Sequence, residues 1–160
     1  MKNYDLVIVG SGIVGSALAF YSSLKKKKVL VVEKNYTGYN SSGNAQGGLA
    51  PYLGNDLEVK KLHNDSYSLH QEFKENFHKY TNINPQYRNK KLIHLIKNID
   101  EKNNLLSNGF EEKDIFNLKS LNEYEPRLKK AKYGAIIFNN YMEVDSFKLT
   151  NSFKDASINL

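Results

Sequence analysis

A chain of 160 residues with 40% hydrophobic content is long enough to bury one modest core. It holds no cysteine, which excludes disulfide bridges, thiolate metal sites, a thiol nucleophile and flavin attachment through sulfur, and which fits a reducing, cytoplasmic setting. The net charge of +6 raises the matter of a polyanionic partner, but of 23 basic residues only Arg88 and Arg127 carry a guanidinium, which offers no guanidinium cluster for phosphate, so the composition neither supports nor excludes a nucleic-acid partner.

Leu6-Val7-Ile8-Val9 is an apolar, β-branched run that ends at Gly10, and it reads as a parallel strand buried on both faces. Ile13, Val14, Ala17, Leu18, Phe20, Tyr21 and Leu24 then recur at helical spacing as far as Lys25 to Lys28, whose charges suit a helix C-terminus. The stretch Leu6 to Leu24 also invites reading as a signal or membrane segment. Asp5 before it, the glycines within it and the four lysines after it favour a strand, a turn and a helix. Val29 to Val32 repeats the strand pattern, which completes a β-α-β unit with a right-handed crossover. Thr37 to Gly54, rich in Gly, Ser and Asn, reads as a ligand loop. The apolar spacing of Val59, Leu62, Tyr67, Leu69, Phe73 and Phe77 predicts a helix over 57–77, and Pro85 closes that region. Further on, a strand is expected over 92–96, a helix over 100–108 ended by Gly109, and a helical turn over 121–124 before Pro126. A strand over 134–138 and a helix over 144–153 complete the chain. There is no internal repeat.

Gly10-Ser11-Gly12-Ile13-Val14-Gly15 matches G-x-G-x-x-G, follows a strand, opens a helix and is followed by Glu33 at the end of the second strand. That context is the dinucleotide-binding fingerprint. Gly10 permits the tight turn, Gly12 lets backbone approach a diphosphate without a Cβ, and Gly15 permits close packing of helix on strand. The N–H groups at the helix start face the phosphates, and the Glu33 carboxylate accepts from a ribose hydroxyl. Lys34, beside it, belongs to the same cofactor-binding set.

The fingerprint alone does not choose between NAD and FAD. Just after the acidic position, Ser41-Ser42-Gly43-Asn44-Ala45-Gln46-Gly47-Gly48-Leu49 forms a second run of small hydrogen-bonding residues, and it resembles the D-amino-acid-oxidase-like flavoprotein superfamily, which includes glycine and sarcosine oxidases. The resemblance implies FAD as the cofactor, with Ser41 to Leu49 returning along the diphosphate toward the isoalloxazine ring. Ser120 to Pro126 is similar to the superfamily's segment between flavin and substrate domains, and Tyr133 to Phe138 with Val144-Asp145 to its entry into the next helix. The implied fold is α/β: a Rossmann-like FAD-binding β-α-β unit with the beginning of an α+β substrate domain, truncated at the C-terminus. Residues 1–85 would be the N-terminal part of the FAD-binding domain, 86–145 part of a substrate or cap domain, and 146–160 a helix returning toward the FAD domain.

Within the superfamily, Ser42 to Leu53 is most similar to the oxidoreductase domain of the bifunctional tRNA 5-methylaminomethyl-2-thiouridine biosynthesis proteins, whose pattern is S-G-N-x-Q-G. Ala50-Pro51-Tyr52 departs from the order of residues that follows there, and the chain has no methyltransferase half. The implied reaction is flavin oxidation of a C–N bond in a secondary amine or amino acid. Its partner is a small amine or amino acid such as glycine, sarcosine or a D-amino acid, or a modified tRNA whose wobble uridine loses a carboxymethyl group. No metal and no membrane is expected. No catalytic base is assigned, because His63, His70, His78 and His94 each lack a second acid-base group at a recognisable spacing. Tyr52 and Gln46 are either flavin-facing or plain loop residues. Since two parallel strands are not stable alone, a reading of another class stays open: a non-catalytic fragment or split FAD-binding subunit whose partner is the missing C-terminal portion of the fold.

Overall fold

A computed structural model describes residues 3–128 and 131–160. They divide into two units, one of Met1–Gly48, Ser68–Arg88 and Glu143–Leu160, the other of Leu49–Tyr67 and Asn89–Met142.

In the first unit, β1 (Leu6–Val9) and β2 (Val29–Val32) pair in parallel, with Leu6 opposite Val29 and Val9 opposite Val32. Helix α1 (Ile13–Leu24) joins them and covers the side of β1 that carries the buried Ile8. The other side is open. Val7 is 55% exposed, Val9 87% and Val32 49%, so the expectation of strands buried on both faces is corrected. The run of β-branched residues is composed for two covering layers, and among the described residues only the α1 side has one. The helix shows the same division: Ala19 and Phe20 are buried, while Val14 and Leu18 are exposed. Helix α6 (Ser146–Asn159) packs along α1, and small residues are buried on both, Ser16 and Ala19 on one and Ser152 and Ala156 on the other. Around Phe20 stand Phe77, Tyr80 and Phe153 at centroid distances of 5.3, 5.3 and 5.6 Å, all edge to face. That arrangement sets positive ring edges on negative faces and adds to the burial of apolar area.

Helix α3 (Leu57–Asn76) gives its first part to the second unit and its last part to the first. Asp56 caps it, its Oδ1 accepting from the N–H groups of Glu58 and Val59 at 2.9 and 3.0 Å. The sheet of the second unit has the order β3 (Gly48–Leu49), β6 (Ala135–Glu143), β4 (Arg88–Leu95). The short β5 (Ile115–Phe116) lies antiparallel to β6, with Ile115 opposite Ile136. Strand β6 runs well past Phe138, through the polar Asn139 and Asn140, with β3 and β4 as its neighbours. Helices α4 (Ile99–Ser107) and α5 (Leu118–Tyr124) are capped by Asn98 and Asn117, whose side chains accept from the N–H groups of Glu101 and Ser120. Ile96, Leu105 and Ile136 form one core cluster, and Leu121, Ala131 and Ala135 another. A parallel β-α-β unit with an α+β sheet is the expected fold class.

Candidate functional site

Strand β1 ends at Gly10, whose φ of +98° is a backbone conformation that side-chain-bearing residues rarely adopt. Its N–H donates to Val32 O at 2.7 Å, which ties the turn to the end of β2. Gly15 then brings α1 down onto the turn, since a Cβ there would lie 2.1 Å from Gly10 O. The helix begins with no side-chain cap on Gly12. Its first internal bond runs from Ser16 N–H to Gly12 O at 2.9 Å, which leaves the N–H groups of Val14 and Gly15 without an acceptor in the helix. Ile13 N–H donates to Ser42 Oγ at 3.0 Å, and a Cβ on Gly12 would meet the same oxygen at 2.9 Å. A hydroxyl and open helix N–H groups therefore converge where the positive end of the helix is bare.

Glu33, at the end of β2, turns toward this turn. Its Oε2 accepts from Ser11 N–H at 2.8 Å and from Ser11 Oγ at 3.2 Å, and its Oε1 accepts from Asn35 N–H at 3.0 Å. The Asn35 and Ser11 amides hold its carboxyl below the ordinary carboxylate range, so it is an ionised acceptor at neutral pH. Lys34 is exposed beside it.

The second loop is fastened to the first. Gly38 N–H donates to Ser11 O at 3.2 Å, and Ser41 to Asn44 form the short helix α2. Asn44 turns its Nδ2 inward on its own loop, donating to Asn40 O at 2.8 Å and Tyr39 O at 3.3 Å. Ser146 Oγ donates to Ala45 O at 2.7 Å, and Val144 N–H donates to Gly47 O at 2.9 Å. Gly43 and Gly47 have no room for a side chain: a Cβ would lie 2.1 Å from Gly38 O and 1.9 Å from Val144 O respectively. Ala45 and Gln46, with Gln86, Arg88 and Asp145, line a cavity of about 360 Å3. Gly48 begins β3, and Leu49, last of the run, belongs to the second unit.

The structure thus brings Gly10, Ser11, Gly12, Ile13, Val14, Gly15, Glu33 and Ser42 to one turn. Sequence reasoning missed Asn35, Val144 and Ser146, which hold the two loops in place. Only Asp145-Ser146 carried a local sign, as a helix start: Asp145 Oδ1 accepts from Lys148 N–H at 2.9 Å. The histidines have structural surroundings. His70 Nδ1 lies 2.7 Å from Tyr87 Oη, with burial pushing the His70 pKa down and that of Tyr87 up, and His94 pairs with Glu101 at 3.0 Å. Among the described residues no group of three His, Cys, Asp or Glu is placed to hold a metal, and no helix is long and apolar enough to cross a membrane.

The residues fit FAD on this geometry. The Gly12 cradle, which a Cβ would crowd, lies beside open N–H groups and the Ser42 hydroxyl, a donor set for a diphosphate, with an ionised carboxylate at the end of β2 for a ribose. The profile of the family described as FAD dependent oxidoreductase (DAO) matches residues 5–160. Among solved structures, the chain is similar to glycine oxidase from Geobacillus kaustophilus, with 24% identity, a TM-score of 0.83, and coverage of 99% of this chain and 45% of that one. Glycine oxidase from Bacillus cereus ATCC 14579 is similar at 23% identity and a TM-score of 0.81, with coverage of 98% and 44%. L-alpha-glycerophosphate oxidase from Mycoplasma pneumoniae, solved with FAD bound, is similar at 19% identity and a TM-score of 0.78, with coverage of 99% and 44%. A comparison with curated proteins finds no match. The chain spans less than half the length of the structures it resembles.

Proposed function

The chain belongs to the FAD dependent oxidoreductase (DAO) family, and from that premise we propose that it provides the diphosphate and ribose cradle of a flavoenzyme that oxidises a C–N bond in a small amine or amino acid. The observation that carries the reading is the seating of Ser42 Oγ on the Ile13 N–H beside Gly12, which brings two loops of small residues together at the bare start of α1. The N–H groups of Val14 and Gly15 and the Ser42 hydroxyl would bind the FAD diphosphate, and Glu33, oriented by Ser11 and Asn35, would accept from the ribose. Ser41, Asn44, Ala45, Gln46, Gly48 and Leu49 would continue along the cofactor toward its ring system, with Lys34 exposed beside the ribose carboxylate. When bound, FAD supplies the acceptor for a hydride equivalent from the carbon next to nitrogen. This chain's own residues bind and orient the cofactor, and no proton transfer is assigned to them.

The structural similarity to glycine oxidases supports an amine or amino-acid substrate. Residues 1–85 and 146–160 would then serve the cofactor and 86–145 the substrate, in a cytoplasmic setting that suits a chain without cysteine. Exposed Val7, Val9 and Val32 support a partner for the open face, namely the remaining C-terminal portion of the fold, in the same chain or another. A second reading, removal of a carboxymethyl group from a modified tRNA wobble uridine, rests on Ser42-Gly43-Asn44-Ala45-Gln46-Gly47. The test is flavin binding followed by anaerobic bleaching with glycine, sarcosine, modified tRNA and L-alpha-glycerophosphate in turn. Bleaching by the small amines supports the first reading and bleaching by modified tRNA the second. Bleaching by L-alpha-glycerophosphate alone overturns both.

A further inference from the structure

We propose that the second unit carries a binding site of its own, for a small organic anion with a planar apolar body, in the cavity between Tyr52 and the first turns of α3. The cavity measures about 300 Å3. That is the low end of the roughly 300–1,000 Å3 common for small-molecule sites, so the site takes one ring and a short chain, not a nucleotide.

Hydrogen bonds fix its walls. Asn55 Nδ2 donates to Asn104 Oδ1 at 2.8 Å, and Asn108 Nδ2 donates to Asn55 Oδ1, which clamps the segment after Leu53 to the end of α4. Tyr67 Oη donates to Asn140 O and ties α3 to β6. Tyr52 folds back over Gly54, where a Cβ would lie 2.3 Å from the phenol oxygen, and its ring stands 6.2 Å from the His63 ring at an interplanar angle of 35°. Tyr52 and His63 thus give the cavity an aromatic wall.

Charge selects the occupant. Lys60 and His63 line the cavity, and no Asp or Glu does. Lys61, next along the helix, pairs with Asp65 at 2.7 Å, whereas Lys60 has no anionic partner among the described residues. An ammonium without a counter-ion beside an aromatic wall recruits a carboxylate or phosphate whose apolar body lies against Tyr52. A purely cationic molecule would find no carboxylate to receive it. The site stands on the second unit alone, so it survives or fails independently of flavin binding.

The test is titration of the purified 160-residue chain with 3-phenylpropionate, phenyl phosphate and neutral 3-phenylpropionamide, followed by NMR signals of the His63 ring and the Gly54 and Gly109 amides. Saturable shifts at these positions are expected from one or both anions, with the amide roughly tenfold weaker, the loss of one charge-assisted hydrogen bond. Lys60→Gln is expected to weaken the anion about tenfold, Lys60→Arg to retain its affinity, and Lys61→Gln to leave it unchanged. Equal binding of anion and amide, equal loss in K61Q, or no saturable shift at His63 overturns the proposal. Because Lys60 is exposed, K60Q is expected to keep the far-ultraviolet dichroism of the parent; should it not, the comparison of anion with neutral amide on the parent chain tests the same charge without a substitution.

Discussion

Two glycines of one motif, three residues apart, are predicted to fail in different ways. In Gly15→Ala the new methyl would lie 2.1 Å from Gly10 O, 3.2 Å from Gly10 C and 3.3 Å from Ile8 Cγ2. Two of these atoms are backbone of the turn itself, so α1 must lift from β1. Overpacking of this kind costs about 1–3 kcal/mol, and contact with rigid backbone puts it at the upper end. In Gly12→Ala the methyl meets only Ser42, with Oγ at 2.9 Å and Cβ at 3.8 Å, and a serine side chain can rotate away. The fold then loses the bond from Ile13 N–H to Ser42 Oγ, worth about 1 kcal/mol. The cofactor loses more, because the methyl occupies the approach of the diphosphate and the displaced hydroxyl no longer donates. One or two charge-assisted bonds at about 1.5–3 kcal/mol each correspond to a loss of affinity of at least roughly tenfold. Urea denaturation and FAD titration by flavin fluorescence on both variants separate the two effects. The reasoning is refuted if Gly15→Ala is as stable as the parent, or if Gly12→Ala binds FAD as tightly as the parent.

Gly47→Ala sets a methyl 1.9 Å from Val144 O at a φ of +75°, and it is expected to destabilise by about 3 kcal/mol or more, read as a lower urea midpoint. Glu33→Gln removes a carboxylate whose folded pKa is depressed, so its contribution is full above the unfolded pKa and is lost as pH falls through the folded one. The thermal midpoints of parent and Glu33→Gln should therefore differ at neutral pH and converge in acid, while FAD affinity falls at neutral pH. Burial depresses the His70 pKa, so the unfolded chain takes up a proton on acidification that the folded chain declines. Stability should fall as pH drops through the ordinary imidazole range, and His70→Gln should remove that part of the pH dependence in thermal melts.

The turn at Gly10 was legible because its demands are local: a positive φ, a bare approach at Gly12 and an acidic residue one strand later all sit within one β-α-β unit. The second loop was legible as composition only. Its short helix and the seat of Ser42 on Ile13 depend on contacts that no local pattern encodes, and the support of Ala45 and Gly47 by Ser146 and Val144 comes from far along the chain. The valines of β1 misled for a related reason. A β-branched run states what a strand is composed to pack against, and Val9 lies open because only the α1 side has a covering layer among the described residues. Ile115–Phe116 is too short for any periodicity to register, yet it pairs with Ile136 and Ala135 at the start of β6.

The most direct test is a structure of the chain with FAD bound. The account predicts diphosphate oxygens within hydrogen-bond distance of Val14 N–H and Ser42 Oγ, with a ribose hydroxyl on Glu33. FAD seated elsewhere, with the first turn of α1 facing only solvent, would contradict it.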